Sequence, residues 1–329
     1  MNVLVVGANG QLGSTCCRAL VAEGHTVRGS VRQLDRGVGL GLVGVDLVVA
    51  DLAAEPDVDT LLDGIQVVVL TANTAAPRAG DDVERFAEGV SRLVDTAGRG
   101  GVERIVLPSV PVTDVDPHVP LAAERRKLES RVRAAVPGSV ILRFPPFMET
   151  WLAFVGSSLP SRGEPNATVD RPSPFLRRFR SATGSTVEKR GLMLVPGPAG
   201  NRQAFISVKV VAAACTAAVS REDLAGQTIE VGGPEVLSWV DVAETYSRVL
   251  GRPVRAVSTP SLVFAVMAAV LRPFAAVPSR TMALNRLAGA SGAAWEPGGA
   301  GLVDPASMTT VEQFLTAKAA LPESPSAGG

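Results

Sequence analysis

The chain has little of what usually does chemistry unaided: one tyrosine, two histidines and three cysteines among 329 residues, with aromatics at 4%. Cys16 and Cys17 are neighbours, and Cys215 sits in the apolar run VVAAACTAAV. That set excludes a disulfide framework and reads as small buried side chains in a reducing compartment. No His, Cys and carboxylate cluster has metal-ligand spacing, so no metal site is expected. Excess charge is missing too. The 32 basic and 32 acidic residues cancel, which leaves no electrostatic footprint for a nucleic acid. Only Lys127, Lys189, Lys209 and Lys318 are lysines, the arginine-rich usage of a high-GC genome. The longest apolar window, Leu262 to Leu271, stops at Arg272-Pro273, short of the roughly 20 residues of a bilayer span. It is expected to be a buried helix or a lid rather than a membrane segment. The chain opens on a strand with no leader-like stretch, so a cytoplasmic protein is expected and Asn166-Ala167-Thr168 reads as a chance sequon.

What is present is concentrated at the start, VLVVGANGQLGSTCCRALVAEGHTVRGSVR, from Val3 to Arg32. An apolar run, Val3 to Val6, meets Gly7, Gly10 and Gly13. A helical pattern follows from Ser14 to Glu23, and a second apolar run from Thr26 to Val31. Strand, glycine turn, helix and strand make the unit that holds a dinucleotide pyrophosphate. Gly7 turns the chain, Gly10 leaves room for the phosphates, and Gly13 packs the helix on the sheet while free N–H groups face the anion. Asn9, Gln11 and Leu12 fill the loop and are expected at the same ligand.

An NAD-binding loop would carry a carboxylate at the end of the second strand. This one has Arg28, Ser30 and Arg32, and a guanidinium fork suits a 2′-phosphate, so NADP(H) is the expected cofactor. Further apolar runs at Leu47 to Ala50, Gln66 to Leu70, Arg104 to Leu107 and Ser139 to Phe144 alternate with helical patterns at Val58 to Leu62, Asp81 to Ala97 and Ala122 to Ala135. Continuous apolar strands between helices predict an α/β fold, a doubly wound parallel sheet whose ligands lie beyond the carboxyl ends of the strands. Those ends carry Asp51-Leu52, Thr71 to Ala75 with Asn73 and Thr74, Ser109, and Pro145 and Phe147, all candidate cofactor or substrate contacts. Asp51 also suits an N-cap, and the two roles are compatible.

Residues 1–150 are thus expected to be the NADP-binding domain. A substrate-binding part should occupy 151–321, with strands near 204–208 and 227–231 that return to the first core, and 322–329 should be a disordered tail. METWLAFV, with Trp151 and Phe154, and the stretch from Pro260 to Leu287 are expected to wall an apolar pocket. The arginine-bearing segment 157–190 is an insertion, mobile or folded over the site.

The glycine spacing G-x-x-G-x-x-G resembles that of extended and atypical short-chain dehydrogenase/reductases. The stretches RIVLPSV, RKLESRVRAA and SVILRFPPFMET, and later AFISVKVVAAACTAAV, LAGQTIEVGGPEVLSWVDVAETYSRVLGRPVRAV and TTVEQFL, resemble the NmrA-like group of that superfamily over nearly the whole chain. The resemblance implies a Rossmann domain. It places Asp51-Leu52 at the adenine and Ser109 near the active-site serine, with Val110 in place of a second hydroxyl. The superfamily's Tyr-x-x-x-Lys is incomplete, because Ala123 stands four residues before Lys127 and Tyr246 is far away. Lys127 then keeps ribose binding and stands as an acid candidate, as in isoflavone-reductase-like relatives. His118, near the expected mouth, is a second acid candidate, whereas His25 reads as structural. The expected activity is NADPH-dependent reduction of a ketone on a hydrophobic, aromatic-polyketide-like substrate in secondary metabolism, antibiotic biosynthesis included, with the substrate's own phenol as acid. A non-catalytic NADP-binding regulator is the other reading. The oligomeric state is not legible.

Overall fold

The computed structural model describes residues 1–34, 38–74, 80–164, 166–170, 174–271, 276–290 and 295–322. Its strands are β1 (Asn2–Val6), β2 (Thr26–Val31), β3 (Asp46–Val49), β4 (Val67–Leu70), β5 (Arg104–Ser109), β6 (Val140–Arg143), β7 (Leu192–Pro196), β8 (Arg202–Gln203), β9 (Thr228–Glu230), β10 (Leu237–Ser238) and β11 (Arg255–Thr259). The helices of the first half are α1 (Gln11–Ala22), α2 (Val38–Gly41), α3 (Val58–Leu62), α4 (Val83–Arg99) and α5 (Pro120–Ala135). Those of the second half are α6 (Met148–Phe154), α7 (Pro174–Thr183), α8 (Thr186–Arg190), α9 (Val208–Ser220), α10 (Trp239–Leu250), α11 (Ser261–Leu271), α12 (Ala276–Ala290) and α13 (Val311–Ala319).

Seven strands pair in parallel in the order β3-β2-β1-β4-β5-β6-β9. β1 lies inside the sheet, with Val3 opposite Val27 on one side and Val67 on the other. Successive residues alternate between two cores. Val3 and Val5 pack with Cys16, Cys17 and Leu20 of α1 and with Val211, Cys215 and Ala218 of α9. Leu4 and Val6 pack with Leu61 of α3, Leu93 and Val94 of α4, and Val132 of α5. Both faces are covered, which is why these strands read as unbroken apolar runs. The fold is therefore the doubly wound α/β sheet that the sequence predicts.

The sheet does not end at residue 150. β9 pairs with β6, Ile141 opposite Thr228, and α9 covers one face beside α1. Arg104 in β5 is buried, and its guanidinium donates to the carbonyls of Ala218, Val219 and Arg221 at the end of α9, at 2.9, 3.2 and 2.9 Å. The strand expected near 204–208 is displaced. Arg202–Gln203 pairs with β10 in a two-stranded sheet, and Ile206 only bridges Phe147. The cause is local: the Ser207 hydroxyl caps α9 by accepting from Val210 N, so the helix starts where the strand would run.

The second half has its own core, built on Phe205, Trp239, Tyr246, Met148 and Val311. The Phe205 and Trp239 rings meet edge to face at 5.0 Å. The described part of the segment 157–190 holds short turns at Leu159–Ser161 and Thr168–Asp170 and the helices α7 and α8. Among the described residues no helix is long and apolar enough to cross a membrane. Gly37, Ala75, Arg171, Pro273 and the expected tail from residue 323 onward lie outside the described residues.

Candidate dinucleotide-binding cleft

A cleft of about 610 Å³ lies over the carboxyl ends of the strands. Its floor is the glycine loop. Gly7 has φ +84°, a conformation that L side chains rarely adopt. A Cβ on Gly13 would stand 2.1 Å from the Gly7 carbonyl oxygen and 2.9 Å from Thr71 Oγ1, so α1 can press against β1 and β4 only with glycine there. Gly10 is less constrained, its Cβ meeting only the Gly7 carbonyl oxygen at 3.2 Å. It caps α1 without a side-chain hydrogen bond, leaving the first N–H groups of the helix to a ligand. Asn9, Gln11 and Leu12 line the cleft beside it. Gln11 Oε1 accepts from Thr168 N and Oγ1 at 3.4 and 3.3 Å, and its Nε2 donates to Glu164 at 3.3 Å. The insertion is thus folded against the loop, and Asn166, Ala167 and Thr168 join the wall.

At the end of β2, Ser30 Oγ accepts from Gly7 N at 3.3 Å. Arg32 reaches the cleft and pairs with Asp81 at 2.6 Å. Arg28 is not brought there. It lies four residues upstream, about 13 Å along a strand, and donates to the Leu61 and Asp63 carbonyls at 3.0 Å, closing the end of α3. Asp51 lines the cleft and caps the turn Leu52–Ala54, accepting from Ala53 N at 3.1 Å; Leu52 lines it too. Thr71 Oγ1 stitches β4 to β1 by donating to the Val6 carbonyl at 2.8 Å, and Asn73 donates to the Thr71 carbonyl at 3.2 Å. Thr74 hydrogen-bonds Glu124 of α5, and Arg280 of α12 binds both, at 2.7 Å from each. Pro145 and Phe147 close this side after β6.

The helix α5 divides the sequence candidates. Leu121, Ala122, Arg125, Glu129 and Val132 form its buried face. Lys127 falls on the opposite face, exposed and outside the cleft. His118, on the turn Asp116–His118, is likewise exposed and outside. Ser109 does line the cleft, but its hydroxyl donates to Glu129 at 2.5 Å. Burial works to raise the Glu129 pKa. Hydrogen bonds from Arg143 and Ser109 and the charge of Arg126 outweigh it and hold the carboxyl below its usual range. Tyr246 is fully buried in the second core, donating to the Leu152 carbonyl at 3.1 Å, and burial pushes its phenol pKa up.

The residue that sequence reasoning passes over is Arg125. It lines the cleft, is 6% exposed, and donates through Nη2 to the Ala72 carbonyl at 3.2 Å. Its Nη1 has no hydrogen-bond partner among the described residues. Burial lowers its pKa to about 10, against the charges of Glu124 and Glu129, so it stays a cation at neutral pH. The signal was the helical phase. Leu121, Arg125 and Glu129 recur every four residues, whereas counting back from Lys127 follows the motif and ignores the apolar face.

Beyond Arg125 the cleft turns apolar, with Leu121, Trp151, Phe154, Leu284 and Leu287 around it. The Trp151 and Phe154 rings lie 5.9 Å apart, tilted by 59°.

A sequence model of the NmrA-like family matches residues 1–279. The chain belongs to the NmrA-like family. Sterol demethylase protein B of Methylococcus capsulatus is 34% identical over 109 residues, 32% of this NmrA-like chain and 33% of that protein. The chain spans less than half the length of the relatives it matches. Two solved structures share the fold across nearly all of it. The NADPH-dependent quinone oxidoreductase QOR2 of Escherichia coli, complexed with NADPH, is 19% identical with a TM-score of 0.68, over 96% of this chain and 99% of that one. The Citrobacter sp. triphenylmethane reductase complexed with NADP(H) is 16% identical with a TM-score of 0.68, over 96% and 99%. Both of those structures hold NADPH or NADP(H), and the residues present here fit that group: a glycine cradle that a Cβ would fill, an uncapped helix start and an arginine at the end of β2.

Proposed function

We propose that this NmrA-like protein is an NADPH-dependent ketoreductase of hydrophobic, ring-bearing ketones, with an angucyclinone-like aromatic polyketide as the concrete substrate class. The observation that carries this reading is that one cleft joins the glycine loop to an apolar half flanked by Trp151, Phe154, Leu284 and Leu287. Rings seated there lie beside the nicotinamide end of a bound dinucleotide, which supplies the hydride. Arg32 favours the 2′-phosphate of NADPH. The two similar solved proteins are named for a quinone and a triphenylmethane, both ring compounds, which supports the substrate class.

The alkoxide left by hydride transfer needs a proton, and general acid help is typically worth about 10²–10⁴-fold. Ser109 is committed to Glu129, and Lys127 and His118 face away. A phenol peri to the ketone supplies the proton from the substrate. The test is turnover of NADPH with a panel of peri-hydroxy aromatic ketones and their methyl ethers. Reduction of the free phenols but not the ethers is expected, with Ser109→Ala, His118→Ala and Lys127→Ala all retaining activity. Ethers reduced as fast as phenols, together with one inactive alanine variant, would place the acid on the protein. Tight NADPH binding without turnover across the panel would favour the regulator reading.

A further inference from the structure

We infer that Arg125 is the anion-binding residue of the reaction site and that the anion it holds is a phenolate on the substrate. The inference rests on the reductase reading above. A buried guanidinium that feels the carboxylates of Glu124 and Glu129 yet keeps a donor with no hydrogen-bond partner among the described residues is an arrangement that folded proteins rarely keep without a use. Its place defines that use. Nη2 is fixed to the Ala72 carbonyl at the end of β4, Ser109 lies near the end of β5, and the apolar half begins at Leu121 on the same helix. The cation therefore stands at the junction between the cofactor groove and the ring pocket. At neutral pH it has no proton to give up, so its contribution is a fixed charged donor.

The chemistry closes without another group. Hydride adds to the carbonyl carbon, and the carbonyl π pair moves onto its oxygen. The peri hydroxyl gives that oxygen its proton, and a phenolate remains. The Arg125 guanidinium at the cleft wall stabilises that phenolate as it forms, and water reprotonates it on release. A donor aimed at developing charge is worth about 10²–10³-fold in kcat.

The experiment uses 4-nitrophenol as the probe, with the full-length protein saturated with NADP⁺. NADPH binding is measured first, by nicotinamide fluorescence, so that loss of the cofactor site is seen separately. Wild type is expected to bind the probe as 4-nitrophenolate, its absorbance showing a bound pKa at least one unit below the free value. Arg125→Gln should abolish that shift while changing NADPH affinity less than threefold, and Arg125→Lys should restore part of it. Three results would overturn the assignment: a wild-type complex that binds the phenol with an unshifted pKa, a complex that binds no probe, or an Arg125→Gln protein that loses NADPH tenfold with the probe shift intact. The last would give Arg125 to the cofactor. If Arg125→Gln fails to fold by circular dichroism, Arg125→Lys and wild type alone decide, because a probe shift absent from both denies the site.

Discussion

Arg32 and the glycines can be tested one side chain at a time. Arg32→Ala removes a charged donor from the end of β2, so NADPH should weaken by about 1.5–3 kcal/mol while NADH is nearly unchanged in the same fluorescence titration. Equal losses would show that no 2′-phosphate meets Arg32. The glycines separate by the space around them. A Cβ on Gly13 runs into the Gly7 carbonyl at 2.1 Å, whereas on Gly10 the nearest atom is at 3.2 Å. Gly13→Ala should therefore cost about 1–3 kcal/mol in urea unfolding. Gly10→Ala should leave stability within about 0.5 kcal/mol, and the branched Gly10→Val should lose the cofactor while the far-UV spectrum stays native. Such glycines are legible in sequence because a backbone constraint is local and glycine alone meets it. Arg125 was not, because its place depends on which side of α5 faces the sheet, and the Lys127 motif pointed to the other side.

Helices and strands add effects that no single contact carries. Glu149, in the first turn of α6, is 4% exposed and takes the Val208 N–H at the start of α9 on both oxygens at 3.0 Å. Burial pushes its pKa up to about 7, with the backbone hydrogen bonds pulling the other way. A carboxyl raised in the folded state contributes its stability fully below its ordinary pKa of about 4.3 and loses it as pH climbs through the folded value. Glu149→Gln keeps an acceptor and has no proton to lose. Wild type should thus fall relative to the variant by on the order of 2–3 kcal/mol between pH 5 and 8 in urea unfolding, and parallel pH profiles would dismiss the effect. Arg280 ties α12 to Thr74 and Glu124 across the cleft mouth. Arg280→Ala should speed hydrogen exchange in α12 selectively, with β1 and β4 amides unmoved. The element pattern was largely readable, since doubly covered strands must be apolar throughout. The starts of helices were less so: α1 begins at Gln11 and not Ser14, because Gly13, a poor helix former, is recruited for close packing. α5 begins at Pro120, which suits a first turn.

At the scale of the whole molecule, sequence separates two halves near residue 150 more cleanly than the fold does. The apolar run at 227–231 reads as a strand that returns to the first core, but composition and apolar period do not say that Thr228–Glu230 pairs with β6 at the edge of the sheet begun at Asn2. Non-local pairing is a property of the assembled sheet and leaves little trace in a window of residues. Residues 1–150 produced alone should leave the outer edge of β6 unpaired and go to the insoluble fraction; a soluble, NADPH-binding fragment would show that the first half closes by itself. Arg104 carries the same dependence into the time course of synthesis. A nascent chain that has just emerged past β6 holds a buried-to-be cation in the fifth strand, and the carbonyls of Ala218, Val219 and Arg221 that will receive it are still untranslated. Until the ribosome has delivered α9, that guanidinium keeps the strand in contact with water. The sheet therefore cannot set before its last strand and that helix are both available, and this favours a chain that folds once, late and whole.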